Sequence, residues 1–185
     1  MLTLYKTMVR SKLEYCCPVW NPAGITDIQN LESVQRSFTN KISGCKDLHY
    51  WDRLKKLKLM SLQRRRERYC IVHVWKIFNC EAPNDTGFEF QTHPRLGVKA
   101  KIPSLNKSAQ LSVRKDYDNS FRVRAAQLWN LLPPELGVIT SLDRFKEGLG
   151  RFLDQYPDTP PVPGYTTGNT HPGNEFADRG CQRSS

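Results

Sequence analysis

The run from residue 53 to residue 76 constrains this chain more than any other. Lys55, Lys56, Leu57, Lys58, Leu59, Met60, Ser61, Leu62, Gln63, Arg64, Arg65, Arg66, Glu67, Arg68 and Tyr69 read as helix-forming sequence dense in positive charge, which runs straight into an apolar segment at 69–78. From Arg53 to Lys76 there are nine Lys/Arg and a single acid, Glu67, a local charge of +8 beside +10 for the whole chain. A face of that charge points to a polyanion, nucleic acid above all. The competing reading is a solvated helix face with no partner.

The surrounding composition is ordinary. A length of 185 residues fits one domain with a tail, and 38% hydrophobic residues suffice for a modest core. No apolar run approaches the ~20 residues that span a bilayer, and Lys6, Arg10 and Lys12 interrupt any signal-peptide core at the N-terminus. The expectation is a soluble intracellular protein, in nucleus or cytoplasm, with no membrane partner. Cysteines 16, 17, 45, 70, 80 and 181 contain no C-x-x-C pair and read as free thiols, several of them buried.

Periodicity predicts a helix over 2–15, with Leu2, Tyr5, Val9 and Leu13 on one face. Pro18 and Pro22 end it in a turn around Trp20. Thr26 with Gln29 resembles a capping box for a second helix, whose stripe is Ile28, Leu31, Val34, Phe38 and Ile42, stopped by Gly44. Asp47 is placed to cap a short helix through Leu57. The longest helix is expected over 61–79, with Leu62, Tyr69, Val72, Trp75 and Ile77 or Phe78 available for burial. Across 81–119, Pro83, Gly87, Pro94, Gly97 and Pro103 break any helix, and the alternating runs Phe88-Glu89-Phe90 and Val98 to Ile102 predict small strands or an extended arm. Residues 120–132 form a helix closed by Pro133-Pro134, and 141–155 a last one with Leu142, Phe145, Leu149 and Phe152 on its stripe. From 157 onward the chain is rich in Pro, Gly and Thr and reads as disordered. The fold class is therefore mainly α: a small helical bundle with a short extended or β-containing insert and a disordered C-terminal tail. Its parts are a basic helical region at 1–80, the insert at 81–119, a helical region at 120–156 and the tail at 157–185.

The candidate nucleic-acid-binding residues are Lys55, Lys56, Lys58, Arg64, Arg65 and Arg68, joined by a second basic group at Lys99, Lys101, Arg114 and Lys115. At 100° per residue Arg64 and Arg68 share a face with Lys58 nearby, and Arg65 projects to one side. Arg66 is assigned instead to an acid such as Glu32, or to covering apolar surface with its stem. Arginine suits bidentate phosphate contacts. Tyr117, in a polar stretch, is the aromatic best placed to stack on a base, whereas Trp51, Trp75, Trp129 and Phe145 are assigned to the core. No base-reading motif is present, so binding should be independent of sequence.

Other chemistries find less support. Cys45-x3-His49 and Cys70-x2-His73 have the ligand types for zinc, but Cys70 and His73 would sit mid-helix against the apolar stripe, so no metal is expected. No cofactor is expected either, and no local signature supports nucleophilic catalysis. Gly173-Asn174-Glu175-Phe176-Ala177-Asp178 resembles the Gly-Asn-Glu-x-Ala-Asp motif of ribonuclease H domains, where the Asp, here Asp178, is a metal-binding carboxylate. That site needs further carboxylates from earlier strands, and no working site is expected here.

The run Leu4-Tyr5-Lys6-Thr7-Met8-Val9-Arg10-Ser11-Lys12-Leu13-Glu14-Tyr15-Cys16-Cys17-Pro18-Val19-Trp20-Asn21-Pro22 resembles the segment just after the polymerase palm in reverse transcriptases of non-LTR (LINE-type, jockey-like) retrotransposons. The order that follows is similar too: Leu31-Glu32-Ser33-Val34-Gln35-Arg36, Tyr50-Trp51-Asp52-Arg53-Leu54, Leu59 to Tyr69, Arg124-Ala125-Ala126-Gln127-Leu128-Trp129-Asn130-Leu131-Leu132-Pro133 and Phe145-Lys146-Glu147-Gly148-Leu149. The resemblance spans about residues 2–169 and departs after about Asn169. It implies a thumb-like helical region that grips an RNA or RNA–DNA template–primer duplex through its backbone, with the missing palm as its partner in a full-length parent. The palm's aromatic-x-Asp-Asp turn has no match, since the chain contains no Asp-Asp pair.

The resulting expectation is a non-catalytic fragment of an RNA-directed DNA polymerase, not an enzyme on its own, that binds RNA or RNA–DNA non-specifically. Reversing Arg64, Arg65 and Arg68 to Glu would then abolish binding and leave helicity intact. The alternative is an inert or adaptor-like helical module whose basic helix docks an acidic protein. A third outcome is a segment that never folds stably, with Leu4, Met8 and Trp20 left on an uncovered face.

Overall fold

A computed structural model describes residues 2–22, 24–106, 108–158 and 160, the side chain of Lys115 excepted. Most of the tail expected from 157, together with Asp178 and the Gly173 motif, lies outside the described residues. The architecture is mainly helical with one two-stranded antiparallel sheet. Among the described residues the chain divides into two compact units, the first holding 2–66 with 157, 158 and 160, the second holding 67–156.

In the first unit, α1 (Leu2–Leu4), a π-helical stretch π1 (Tyr5–Val9) and α2 (Arg10–Glu14) make the N-terminal helix. Tyr5 is buried and stacks on Phe38 with ring centroids 4.4 Å apart. Leu4, Met8 and Trp20 are exposed. The next helix, α3 (Ile25–Asn40), follows Gly24 with no side-chain cap, so the Thr26/Gln29 capping box does not form, and the helix ends at Asn40 before Gly44 is reached. Its buried face is not the expected apolar stripe. The buried positions are Ile28, Glu32, Gln35 and Thr39, and Val34 is exposed. Three of those four side chains are polar, so apolar periodicity selects the wrong rotation of the helix. The short helix α4 (Tyr50–Lys56) is capped by the His49 ring, which accepts from the Trp51 N–H, and not by Asp47. It closes on Lys58 at φ +51°, with the Lys58 N–H donating to Lys55 O and the Leu59 N–H to Leu54 O. That bonding pattern ordinarily places glycine where Lys58 stands. Tyr50, Leu54 and Leu59 pack together beneath it, with Leu2, Trp51 and Leu57 around them.

The long helix α5 (Leu62–Phe78) belongs to the first unit up to Arg66 and to the second from Glu67 onward. In the second unit the strands β1 (Phe90–His93) and β2 (Gly97–Ala100) pair antiparallel, Phe90 opposite Ala100 and His93 opposite Gly97. This is the small sheet that the alternating runs predict, one to three residues displaced. The stretch before residue 119 also holds a helix that the broken pattern conceals, α6 (Leu111–Asn119). The chain continues as α7 (Phe121–Asn130), capped by the Ser120 hydroxyl accepting from the Val123 N–H, then α8 (Pro134–Gly137) and α9 (Leu142–Leu153).

The second unit has the larger apolar cluster of the two. Trp75 and Trp129 are buried against Phe145, the Trp75 and Phe145 rings stacking at 5.4 Å. Cys70, Ile71, Val74, Leu149 and Leu153 complete its centre. Each indole finds an acceptor, Trp75 Nε1 donating to Ile139 O at 2.7 Å and Trp129 Nε1 to Val98 O at 3.0 Å. Asn130 fastens α7 to β2 through both halves of its amide, accepting from the Ala100 N–H at 2.8 Å and donating to Ala100 O at 2.9 Å.

Two glycines in this unit give opposite expectations. Gly97 closes the hairpin at φ +71°, where a Cβ would lie 3.0 Å from Pro134 Cα, so Gly97→Ala is expected to destabilise by roughly 1–3 kcal/mol. Gly150, inside α9 with nothing within 4 Å of its Cβ position, should gain up to about 1 kcal/mol as Gly150→Ala. Denaturant midpoints of the two variants check both signs.

Candidate nucleic-acid interface

The basic run separates into side chains that the fold uses internally and side chains that it leaves in water. Arg64 is 2% exposed. Its Nη2 donates to Pro157 O at 2.8 Å and its Nε lies 3.8 Å from the Asp158 carboxylate. Arg65 makes a forked pair with Glu14, through Nε and through Nη2 at 2.9 Å, and Arg10 approaches the same carboxylate at 3.5 Å. Arg66 is 1% exposed. Its charge works against the rise that burial imposes on the pKa of Glu32, the acid named beside it in the sequence. In the second unit Arg68 Nη2 donates to Lys146 O of α9 at 3.1 Å. These guanidiniums carry structural contacts, so reversing Arg64, Arg65 and Arg68 to Glu would place carboxylates against Asp158 and Glu14. Intact helicity no longer follows for that variant, because its charges would be buried without partners.

The lysines behave differently. Lys55 and Lys56 stand exposed on the last turn of α4, and Lys58 is exposed in the turn behind it. Lys56 Nζ donates to Gly44 O at 2.7 Å. That bond brings it to the α3–α4 turn, where Lys41 and Lys46 are also exposed. Five lysines thus gather on α4 and the turns flanking it. Lys41 and Lys46 are the members that the sequence does not single out, since only the fold brings Lys56 to the turn that carries them. Asp47 and Asp52, both exposed, are the acids of this stretch.

The second basic group does not assemble into one surface of the same kind. Lys99 Nζ donates to Asn130 O and Leu132 O, at 2.8 and 3.2 Å, and so closes the C-terminal end of α7 where cations are favoured. Lys101 is paired with Glu89 at 2.8 Å, and that acid also faces Arg122 at 3.8 Å. The Glu89 carboxyl is held below its ordinary range by the Lys101 hydrogen bond first. Arg114 is exposed on the first turn of α6, whereas the Lys115 side chain lies outside the described residues. Tyr117 is half-buried and its hydroxyl donates to Pro103 O. With Arg114, Asp118, Leu105 and Asn106 it lines a small cleft of about 280 Å³.

Beneath the lysines lies a buried polar network that the sequence does not announce. The Tyr5 hydroxyl donates to Gln35 Oε1 at 2.8 Å, Gln35 Nε2 donates to the Tyr50 hydroxyl and to Met60 O, both at 3.1 Å, and the Tyr50 hydroxyl donates to Glu32 Oε2 at 2.6 Å. Glu32 Oε1 accepts the Gln63 N–H at 2.8 Å, one of the free donors in the first turn of α5. Burial raises the Glu32 pKa to about 7 against these bonds and the Arg66 charge. Burial likewise raises the Tyr5 and Tyr50 hydroxyls above their ordinary range, with Glu32 adding to both.

Among the described residues no group of three or more His, Cys, Asp and Glu is arranged to hold a metal ion. Cys45 and Cys70 are buried, His49 caps α4, and His73 sits edge-on to Phe121 at 5.5 Å with its pKa lowered by burial. No described helix is long and apolar enough to cross a membrane. Comparison with protein-family models, with curated proteins and with solved structures finds no match to this chain.

Glu32 gives a pH dependence with a definite sign. The folded state keeps its proton up to about pH 7 and an unfolded chain only to about 4.5, so stability falls as pH rises through that window. The loss is on the order of 3 kcal/mol. Chemical denaturation at successive pH values should show wild type weakening across the window and Glu32→Gln nearly flat. A wild-type profile that rises instead would mean that Glu32 is ionised throughout.

Proposed function

We propose that this chain is a non-catalytic segment of a non-LTR retrotransposon RNA-directed DNA polymerase, and that its first unit binds the phosphate backbone of RNA or an RNA–DNA duplex without reading sequence. The observation that carries the binding is the exposure of Lys41, Lys46, Lys55, Lys56 and Lys58 on one helix end and its turns. The ordered resemblance along residues 2–169 supports the origin. Lysine ammoniums are point charges on flexible stems, suited to phosphates at variable spacing and not to base edges. The half-buried Tyr117 and exposed Arg114 of the second unit remain candidates for a separate, weaker contact.

Lys58 adds a physical argument. Its left-handed backbone costs a non-glycine residue about 1 kcal/mol. Non-glycine residues at such positions concentrate where their side chains have work that glycine cannot do.

Fluorescence anisotropy with a labelled RNA–DNA hybrid across ~50–300 mM salt tests the reading. Five lysines on phosphates predict a log–log slope of about −3 or steeper. Lys55→Glu, Lys56→Glu and Lys58→Glu together should weaken binding by well over ~10-fold and flatten the slope by about 3. A flat wild-type slope, or a triple variant that binds as well as wild type, overturns it and favours a protein-docking module. Lys58→Gly separates the two roles of that residue: a gain of up to about 1 kcal/mol in stability together with weaker binding is expected. Added stability with unchanged affinity removes Lys58 from the interface.

A further inference from the structure

We propose that Pro157, Asp158 and Pro160 form an internal strap that withholds Arg64 from the phosphate-binding face of the first unit, and that a bound phosphate backbone competes with the strap for that guanidinium. The inference rests on the polyanion reading above and names its regulation.

The three residues stand at the front of the Pro/Gly-rich stretch, yet they are fastened to positions almost a hundred residues earlier. Asp158 Oδ1 accepts from the Ser61 hydroxyl at 2.6 Å and Oδ2 from the Ser61 N–H at 2.7 Å. Arg64 Nη2 donates to Pro157 O, and its Nε faces the Asp158 carboxylate at 3.8 Å. Trp51 Nε1 donates to Pro160 O at 3.0 Å, and Pro160 is buried. The donors from Ser61 and Arg64 are ones that a phosphate oxygen could equally well receive: a backbone N–H, a hydroxyl and a guanidinium.

The strap's hold on Arg64 differs from the holds on the neighbouring arginines. Arg65 is paired to Glu14 on α2, and Arg68 to the backbone of α9, both within regular helices. The partners named for Arg64 lie on a short irregular segment instead. Burial of the Asp158 carboxylate works against its charged form, and the Ser61 bonds and Arg64 only partly offset that. The strap's carboxylate and carbonyl oxygens occupy the donors that a phosphate would use, so an anion that binds those donors competes with the strap for them. Lys58 precedes Ser61 by three residues, so a guanidinium released at Arg64 would extend the lysine group toward α5. Facing the Asp158 carboxylate are Ser61 and Arg64 from the start of α5, with Glu32 of α3 adding a like charge through the interior.

The test compares three proteins of this sequence: wild type, Asp158→Ala and Asp27→Ala. Asp27 is an exposed acid in the first turn of α3, so its variant carries the same change of net charge without touching the strap. Each is titrated with the RNA–DNA hybrid across ~50–300 mM salt, with circular dichroism recorded alongside. Asp158→Ala is expected to bind about 3- to 10-fold tighter than wild type and to steepen the salt slope by nearly one, the share of one added phosphate contact. Asp27→Ala should change affinity by less than about 2-fold with the slope unmoved. Equal effects of the two variants, with wild type binding, overturn the strap and leave the polyanion reading standing. No binding by wild type sinks that reading, and the strap with it. Should Asp158→Ala lose helicity, Trp51→Phe loosens the strap at Pro160 with no change of charge. It must shift affinity and slope in the same direction, and an unchanged slope in that variant overturns the proposal.

Discussion

The first unit depends on burying a carboxylate among hydroxyls and amides. Glu32 gathers Tyr50, the first turn of α5 through the Gln63 N–H, and the charge of Arg66, while Gln35 ties Tyr50 to Tyr5 and to Met60. Helices α3, α4, α5 and the N-terminal helix therefore meet on hydrogen bonds whose geometry admits one arrangement. An apolar interface tolerates sliding, but a chain of buried donors and acceptors does not, because every unmatched member costs its full desolvation. A small cluster around Tyr50, Leu54 and Leu59, the Tyr5–Phe38 stack and the buried Ile28 and Leu62 supplement it with apolar burial. Specificity of packing in this unit is consequently bought with polar groups whose charge state depends on pH.

The same economy explains how the basic run is divided. Guanidiniums are planar forks that satisfy carboxylates and carbonyls at fixed angles, and Arg64, Arg65 and Arg68 are spent on Asp158, Glu14 and the α9 backbone. Lys55, Lys56 and Lys58 stay exposed, Lys56 giving one of its three donors to Gly44 O. Charge density along the sequence is thus a poor guide to charge density on the surface. A local excess of +8 holds both the cement of the unit and its exterior, and the residue type separates the two better than position does.

The parts of the fold that were legible in the sequence are those held by apolar burial. Trp75, Trp129 and Phe145 are core as their size and spacing imply, and α9 buries Phe145 and Leu149 from the expected stripe. The alternating Phe and Val runs give the hairpin. Legibility fails where polar groups take over the interior. The rotation of α3 is set by Glu32, Gln35 and Thr39, and no hydrophobic periodicity reports it. His49 caps α4 because its ring happens to reach the Trp51 N–H, a role Asp47 fills on propensity alone. Helix α6 is hidden by the breakers before it and by its own polar, exposed sequence. Of the candidate site, the three lysines of α4 and its turn were visible as charge. Lys41 and Lys46 needed the Lys56–Gly44 bond to be seen as their neighbours.

The attachment of α7 to β2 has an effect beyond fixing the hairpin. Two-stranded ribbons present unpaired backbone groups on both margins, and such margins recruit strands from other molecules. Along β2 three outward groups are already taken: Val98 O by the Trp129 indole, and the N–H and O of Ala100 by the Asn130 amide. An asparagine side chain reproduces the donor–acceptor pair of a peptide and so stands in for one residue of a third strand. The ribbon is finished on that margin by side chains from a helix, which cannot propagate a ladder. The other margin, β1, offers the exposed polar residues Gln91, Thr92 and His93, leading to Pro94 in the turn. The ribbon is therefore largely blocked against strand addition along β2 and poorly suited to it along β1.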